Sequence, residues 1–262
     1  ALPSPTRITG TVLTLEPLPA GHPAARPVWV WLPPGYAQDS ARRYPVLYLQ
    51  DGQNVFDARS AGAEWQVDEA AQRLVLAGAV APFIVVAVPS GRDRVHELTP
   101  TPGGRGGGGL ADYARWLLDE LKPQVDQRLR TQPGAAHTAV GGSSLGGVAS
   151  LWMALHRADR VGAALVVSPS VWWDDFLPRR DVLSTPAPEP RPRLWLDMGA
   201  HEGEGVFTES RALRDALQSR GWAGAKIAYV EDPEGRHDEL SWAARVEGML
   251  KFLFPPTLEN RP

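Results

Sequence analysis

The clearest chemical signal in this chain is the run Gly141-Gly142-Ser143-Ser144-Leu145-Gly146-Gly147. It holds a single Gly-x-Ser-x-Gly register, Gly142 to Gly146, which makes Ser144 rather than Ser143 the central serine. The apolar run Thr138 to Gly141 precedes it and a helix-period segment follows from Leu145, so the serine sits where a buried strand turns sharply into a helix. Glycines let such a turn close tightly. The first amides of the helix then point at any anion that forms beside the hydroxyl. A plain Gly/Ser turn is the alternative, and the strand-to-helix context argues against it. Ser144 is the candidate nucleophile, with Leu145 N–H as a donor to the oxyanion.

A serine hydroxyl needs a base within hydrogen-bond reach, and histidine suits that role at neutral pH. Of six histidines, His237 follows the last apolar run, Ile227 to Val230, at the edge where open α/β sheets bind ligands. His22 precedes the sheet proper, His137 lies at the far end of the strand leading to Ser144, and His156 falls late in the helix after it. His96 and His201 read as solvated or locally bonded loop residues. A carboxylate to orient the imidazole should follow the run Leu194 to Met198. Glu202 is the first one beyond it; Asp197 lies inside the run, Glu204 is further out, and Asp174 or Asp175 is the reserve. The loop after the third strand, Gln50-Asp51-Gly52-Gln53-Asn54, offers Gln53 N–H as a second oxyanion donor.

Other motifs fail on inspection. His201-Glu202 begins a His-Glu-x-x-His, but position 205 is Gly, so no metal site is expected. Gly104 to Gly109 satisfies Gly-x-Gly-x-x-Gly, yet Thr99-Pro100-Thr101-Pro102 precedes it instead of a buried strand, and a flexible loop is expected. No Gly-Lys dipeptide exists to cradle phosphate, and no cofactor is expected. The absence of Cys excludes disulfides and thiolate chemistry. The 27 basic residues are scattered among 30 acids for a net charge of −3, which argues against a nucleic-acid partner. No apolar run approaches the roughly 18 residues that span a bilayer, so no membrane partner is expected. The start, Ala1 to Pro5, lacks a signal-peptide pattern. The cytoplasm is slightly favoured over export for a soluble protein, and the oligomeric state is left open.

These side chains must be positioned by a scaffold, and 262 residues suffice for one large domain. Alternation predicts strands over Ile8 to Leu15 and Val28 to Leu32. Continuous apolar runs at Val46 to Gln50, Phe83 to Val88, Thr138 to Gly141, Ala163 to Val167, Leu194 to Met198 and Ile227 to Val230 predict strands buried on both faces. Helices are predicted over Trp65 to Leu76, Leu110 to Leu129, Leu145 to Arg157, Phe207 to Arg220 and Leu240 to Phe254, with loops over Pro89 to Gly109 and Ser168 to Pro192. The expectation is a single-domain α/β fold with a mostly parallel eight-stranded sheet flanked by helices, its first two strands antiparallel.

The chain resembles the putative-esterase family of α/β-hydrolases, which includes siderophore (enterochelin-type), feruloyl and acetylxylan esterases and mycolyltransferases. The likeness rests on Tyr44 to Asp57, Arg94 to Pro100, Gly141 to Gly147, Ser168 to Trp173 and Gly235 to Glu239. It implies an α/β-hydrolase fold with Ser144 as nucleophile, His237 as base, Glu202 as acid, and Gln53 in the oxyanion hole. The function implied is a serine carboxylesterase acting on a small-molecule ester, of an aromatic or catecholate acid. An acyltransferase on the same triad, a feruloyl or acetyl-sugar esterase, and a non-catalytic binding protein are the alternatives. Trp172 and Trp173 are the candidate aromatic pocket, while Trp29, Trp195 and Trp242 read as core.

Overall fold

Strands that are apolar at every position bury both faces only when helices cover each side of the sheet. The computed structural model, which describes residues 8–17, 25–60 and 62–256, has that arrangement. The elements in chain order are β1 (Thr11–Leu15), β2 (Val28–Leu32), β3 (Val46–Gln50), α1 (Val67–Leu76), β4 (Ile84–Val88), α2 (Arg94–Leu98), β5 (Pro102–Gly103), β6 (Gly106–Gly107), α3 (Leu110–Arg115), α4 (Lys122–Arg128), β7 (Thr138–Ser144), α5 (Leu145–His156), β8 (Ala163–Pro169), α6 (Trp173–Ser184), β9 (Arg193–Gly199), α7 (Glu204–Ser219), β10 (Ile227–Asp232), α8 (Glu239–Ala243) and α9 (Val246–Leu253). The main sheet runs β1-β2-β4-β3-β7-β8-β9-β10. β1/β2 and β2/β4 pair antiparallel and the remaining neighbours parallel.

The period-2 geometry of a strand divides the core in two. Val46 and Tyr48 of β3 join the cluster that includes residues of α3, α4, α5 and α7, whereas Leu47 and Leu49 join the one built on α1 and α9. All eight expected strands are in this sheet, but β10, expected to be buried on both faces, is an edge strand half-buried at every position because only β9 flanks it. β1 starts only at Thr11, because Gly10 turns at φ +81 under Gln72 and Trp31.

Departures from the expected elements have local causes. The helix expected over Leu110 to Leu129 is interrupted by a π-helical turn, Trp116–Leu121, in which Lys122 N–H reaches back to Leu117 O. Pro123, just inside α4, has no N–H to continue an α-helical ladder. The helix expected to end at Phe254 breaks at Arg245, which turns inward and is 7% exposed. The loop over Pro89 to Gly109 contains α2, capped by Asp93 accepting from His96 N–H at 2.9 Å, and the short β5–β6 hairpin. The expected flexible glycine loop is therefore a paired turn. Ser168 to Pro192 contains the end of β8 and α6. α1 begins at Val67, since Trp65 N–H is drawn to Asn54 O at 2.9 Å and Gln66 is left-handed at φ 54. His22 and the start at Ala1 to Pro5 lie outside the described residues. Among the described residues no helix is long and apolar enough to cross a membrane.

Candidate active site

Ser144 ends β7 with φ 58 and ψ −120, a backbone position costly for a side chain-bearing residue. Its glycine neighbours make the turn possible. A Cβ on Gly142 would lie 2.9 Å from the Gly146 backbone, and one on Gly147 3.1 Å from Pro169 Cα. The β7–β8 register shifts between Ser143 and Ser144, which throws the Ser144 side chain out of the ladder. Ser144 Oγ lies 3.1 Å from Ser170 Oγ, and Ser144 O accepts from Ser170 N–H at 3.1 Å. Leu145 N–H stands in the first turn of α5, where no helical carbonyl is available to it.

The loops after β9 and β10 are zipped together. Ala200 N–H donates to Asp232 O at 2.9 Å and His201 N–H to Gly235 O at 3.0 Å, an approach so close that a Cβ on Gly199 would lie 2.4 Å from Gly235 O. This brings Glu202 to His237: Nδ1–H donates to Glu202 Oε2 at 2.7 Å. The Glu202 side chain is 1% exposed and that of His237 46% exposed, so the acid is sealed while the imidazole meets solvent. His237 is held from both sides, by Arg236 N–H donating to Ser241 Oγ at 2.9 Å and by Asp238 capping α8 at Ser241 N–H, 2.8 Å. Its ring stands edge-on to Trp242 at 5.2 Å.

Behind the acid is a polar layer. Glu202 Oε1 accepts from Gly199 N–H at 2.8 Å and from Ser168 Oγ at 2.5 Å. Ser168 Oγ in turn accepts from Trp242 Nε1 and Arg245 Nη2, each at 3.1 Å. Ser168 N–H donates to Asp197 Oδ1 at 3.0 Å, Trp195 Nε1 to Asp197 Oδ2 at 2.7 Å, and Arg245 Nη1 lies 3.1 Å from Asp197. Burial alone would raise the Glu202 pKa, but donors on His237, Ser168 and Gly199 outweigh it and hold the carboxyl below the ordinary glutamate value. Asp197 goes the other way: burial pushes it up to about 6 against the pull of Arg245, Trp195 and Ser168 N–H, with the Glu202 charge adding to the rise.

On the other side, Asp51 is left-handed at φ 55, and Gly52 presses so tightly on β4 that a Cβ would lie 2.5 Å from Ala87 C. Asp51 is gripped by Arg94 through two 2.7 Å hydrogen bonds and also accepts from Ser90 Oγ. The Gln53 side chain exchanges two bonds with Ser90, 3.0 and 2.9 Å, so it fixes the loop after β4. The tryptophan pair divides. Trp173 is 3% exposed, with its Nε1 on Thr101 Oγ1 at 3.3 Å, whereas Trp172 is 48% exposed. Asp174 accepts from Thr101 Oγ1 at 2.7 Å, and the carboxylate on His237 is that of Glu202.

Residues 23–253 match the family described as "Putative esterase". The chain belongs to this family. Among curated relatives of this esterase-family chain, the iron(III) enterobactin esterase of Dickeya dadantii is 26% identical over 234 residues, covering 83% of this chain and 49% of the relative. The endo-1,4-beta-xylanase/feruloyl esterase of Xylanibacter ruminicola is 25% identical, covering 86% of this chain and 29% of the relative. The chain thus spans half or less of the length of these two relatives. Among solved structures, the enterobactin esterase FES from Shigella flexneri superposes with a TM-score of 0.73 at 22% identity, over 96% of this chain and 61% of that one. The BES protein from Bacillus cereus gives 0.70 at 19% identity, over 95% and 97%. The fold is that of the α/β-hydrolase esterases.

Several residues of this esterase-family site escape a reading by sequence. Ser168, Asp197 and Arg245 stand behind Glu202, and Trp242, read as core, is buried but also donates to Ser168. One signal was available: Asp197 is a charge inside the apolar run Leu194 to Met198 of β9, and such a charge requires partners. Ser168 offered no such signal: its left-handed backbone, φ 39, is disclosed only by the structure.

Proposed function

We propose that this chain is a serine carboxylesterase working through an acyl-enzyme on Ser144. The observation that carries the reading is the buried Glu202 carboxylate holding His237 Nδ1–H at 2.7 Å, which leaves Nε2 as the ring's proton acceptor. Ser144 Oγ turns from Ser170 to His237 Nε2, loses its proton there, and attacks the ester carbonyl. Leu145 and Gln53 N–H receive the negative oxygen, the imidazolium protonates the leaving alcohol, and water activated by His237 releases the acid. Residues 1–262 act as a single hydrolase domain in this reading, with no cofactor entering the steps.

The substrate class is an ester of an aromatic or catecholate acid. Support comes from the half-exposed Trp172 indole, two residues beyond the Ser170 whose hydroxyl meets Ser144, a flat face suited to an aryl ring, and from relatives named as enterobactin and feruloyl esterases. Ser144→Ala should abolish turnover of p-nitrophenyl and aryl esters and labelling by a fluorophosphonate probe. Unchanged turnover in the folded variant would refute the assignment.

A further inference from the structure

Three carboxyl groups at the start of α1 stand apart from the site. Glu64, Asp68 and Glu69 each bring a carboxylate oxygen within 4.8 Å of the others. Glu64 is 2% exposed, and neither of its carboxylate oxygens has a hydrogen-bond partner. Asp68 is fully buried, with Oδ2 taken by Thr9 N–H at 2.6 Å and Oδ1 unpartnered. Glu69 is half-buried at the outer edge, and its Oε2 is also unpartnered. Among the described residues no Lys, Arg or His pairs with any of the three. Asp57 adds repulsion on Glu64, and its own partner Arg59, 4.0 Å away, has an 82% exposed side chain.

Buried carboxylates packed together must share protons or hold a cation, because neither desolvation nor mutual repulsion is otherwise offset. We propose that Glu64, Asp68 and Glu69 form a binding site for a hard divalent cation, with Ca²⁺ the best fit. Carboxylate oxygens without nitrogen or sulfur donors select hard ions over zinc. Ca²⁺ accepts several carboxylate oxygens in flexible geometry, whereas Mg²⁺ is held by one or two and keeps most of its waters, and here three carboxylate oxygens lie within 4.8 Å of one another. The half-buried Glu69 marks the entry side.

The ion would tie α1 to the loop that begins at Gln53, since Trp65 N–H and Val67 N–H already bond Asn54 O and Val55 O at 2.9 and 3.3 Å. The inference stands independently of the esterase reading, and its test uses no turnover. The full chain, stripped with EDTA, is titrated with Tb³⁺ while Trp is excited. Trp65 adjoins Glu64, and Trp31 Nε1 donates at 3.1 Å to O of Thr9, whose N–H bonds Asp68. One saturable site with sensitised emission, displaced by Ca²⁺, is expected. Ca²⁺ at a hundred times its Kd should raise Tm by about 5–10 °C. Both responses should vanish in Glu64→Gln and in the more exposed Glu69→Gln. Absence of emission and of a Tm rise in the wild type would overturn the proposal in favour of carboxyls that share protons. Equal responses in wild type and Glu69→Gln would overturn it by placing the ion elsewhere.

Discussion

Replacing Glu202 with Gln tests the site at its hinge, because the structure dictates which way the new amide must face. Gly199 N–H lies 2.8 Å from Oε1 and can only donate, so the amide oxygen must stay there. The amide NH₂ then faces His237 Nδ1, at the position where a carboxylate now accepts at 2.7 Å. Two donors cannot share that gap, so the neutral imidazole must carry its proton on Nε2, where it no longer accepts one from Ser144. An amide in the acid's place costs about 10⁴-fold in kcat in the worked serine-protease case, which corresponds to about 5 kcal/mol of transition-state stabilisation. The expected loss here is of that order, with KM little changed. Ring-nitrogen chemical shifts should show His237 switching from an Nδ1–H to an Nε2–H tautomer, and Tm should stay within a few degrees because the isosteric amide keeps the Gly199 contact. A folded variant keeping more than about a tenth of wild-type kcat, or an unswitched tautomer, would refute the reasoning.

Asp197 is raised to about 6, so the fold binds its proton more tightly than the unfolded chain does, and this group's contribution to stability falls as pH rises from the ordinary carboxylate range through about 6. The stability advantage of wild type over Asp197→Asn, measured by urea unfolding, should therefore be larger near pH 4.5 than at pH 7; a constant difference would contradict the assignment. Gly52→Ala should lower kcat by about 10²-fold, since its Cβ meets β4 backbone at 2.5 Å and displaces Gln53 N–H; a wild-type rate would show that this amide is not used. Trp172→Ala should raise KM for aryl esters but not for acetyl esters and leave Tm unchanged. Trp173→Ala should instead destabilise by about 3–5 kcal/mol in a denaturant melt, as deleting a buried indole does, its ring being 3% exposed.

The eight strands of the main sheet and the turn at Ser144 were legible in the residues alone, because both are written in local spacing: period-2 or continuous apolar runs, and glycines flanking one serine. Glu202 could be chosen by its place after β9, but its hold on His237, 35 residues away, depends on Gly199 meeting Gly235 across two loops. Sequence spacing carries no such information. The same holds for Ser168, which joins Glu202, Trp242 and Arg245 across separations of 34, 74 and 77 residues. The tryptophan pair adds a further case: two adjacent indoles of equal hydrophobicity face opposite environments, one against the β5–β6 hairpin and one toward water. Residue type and periodicity determine which segments become strands and where a nucleophile can stand. Which polar groups are sealed from water, and which partners then satisfy them, is decided only when the loops close over the sheet.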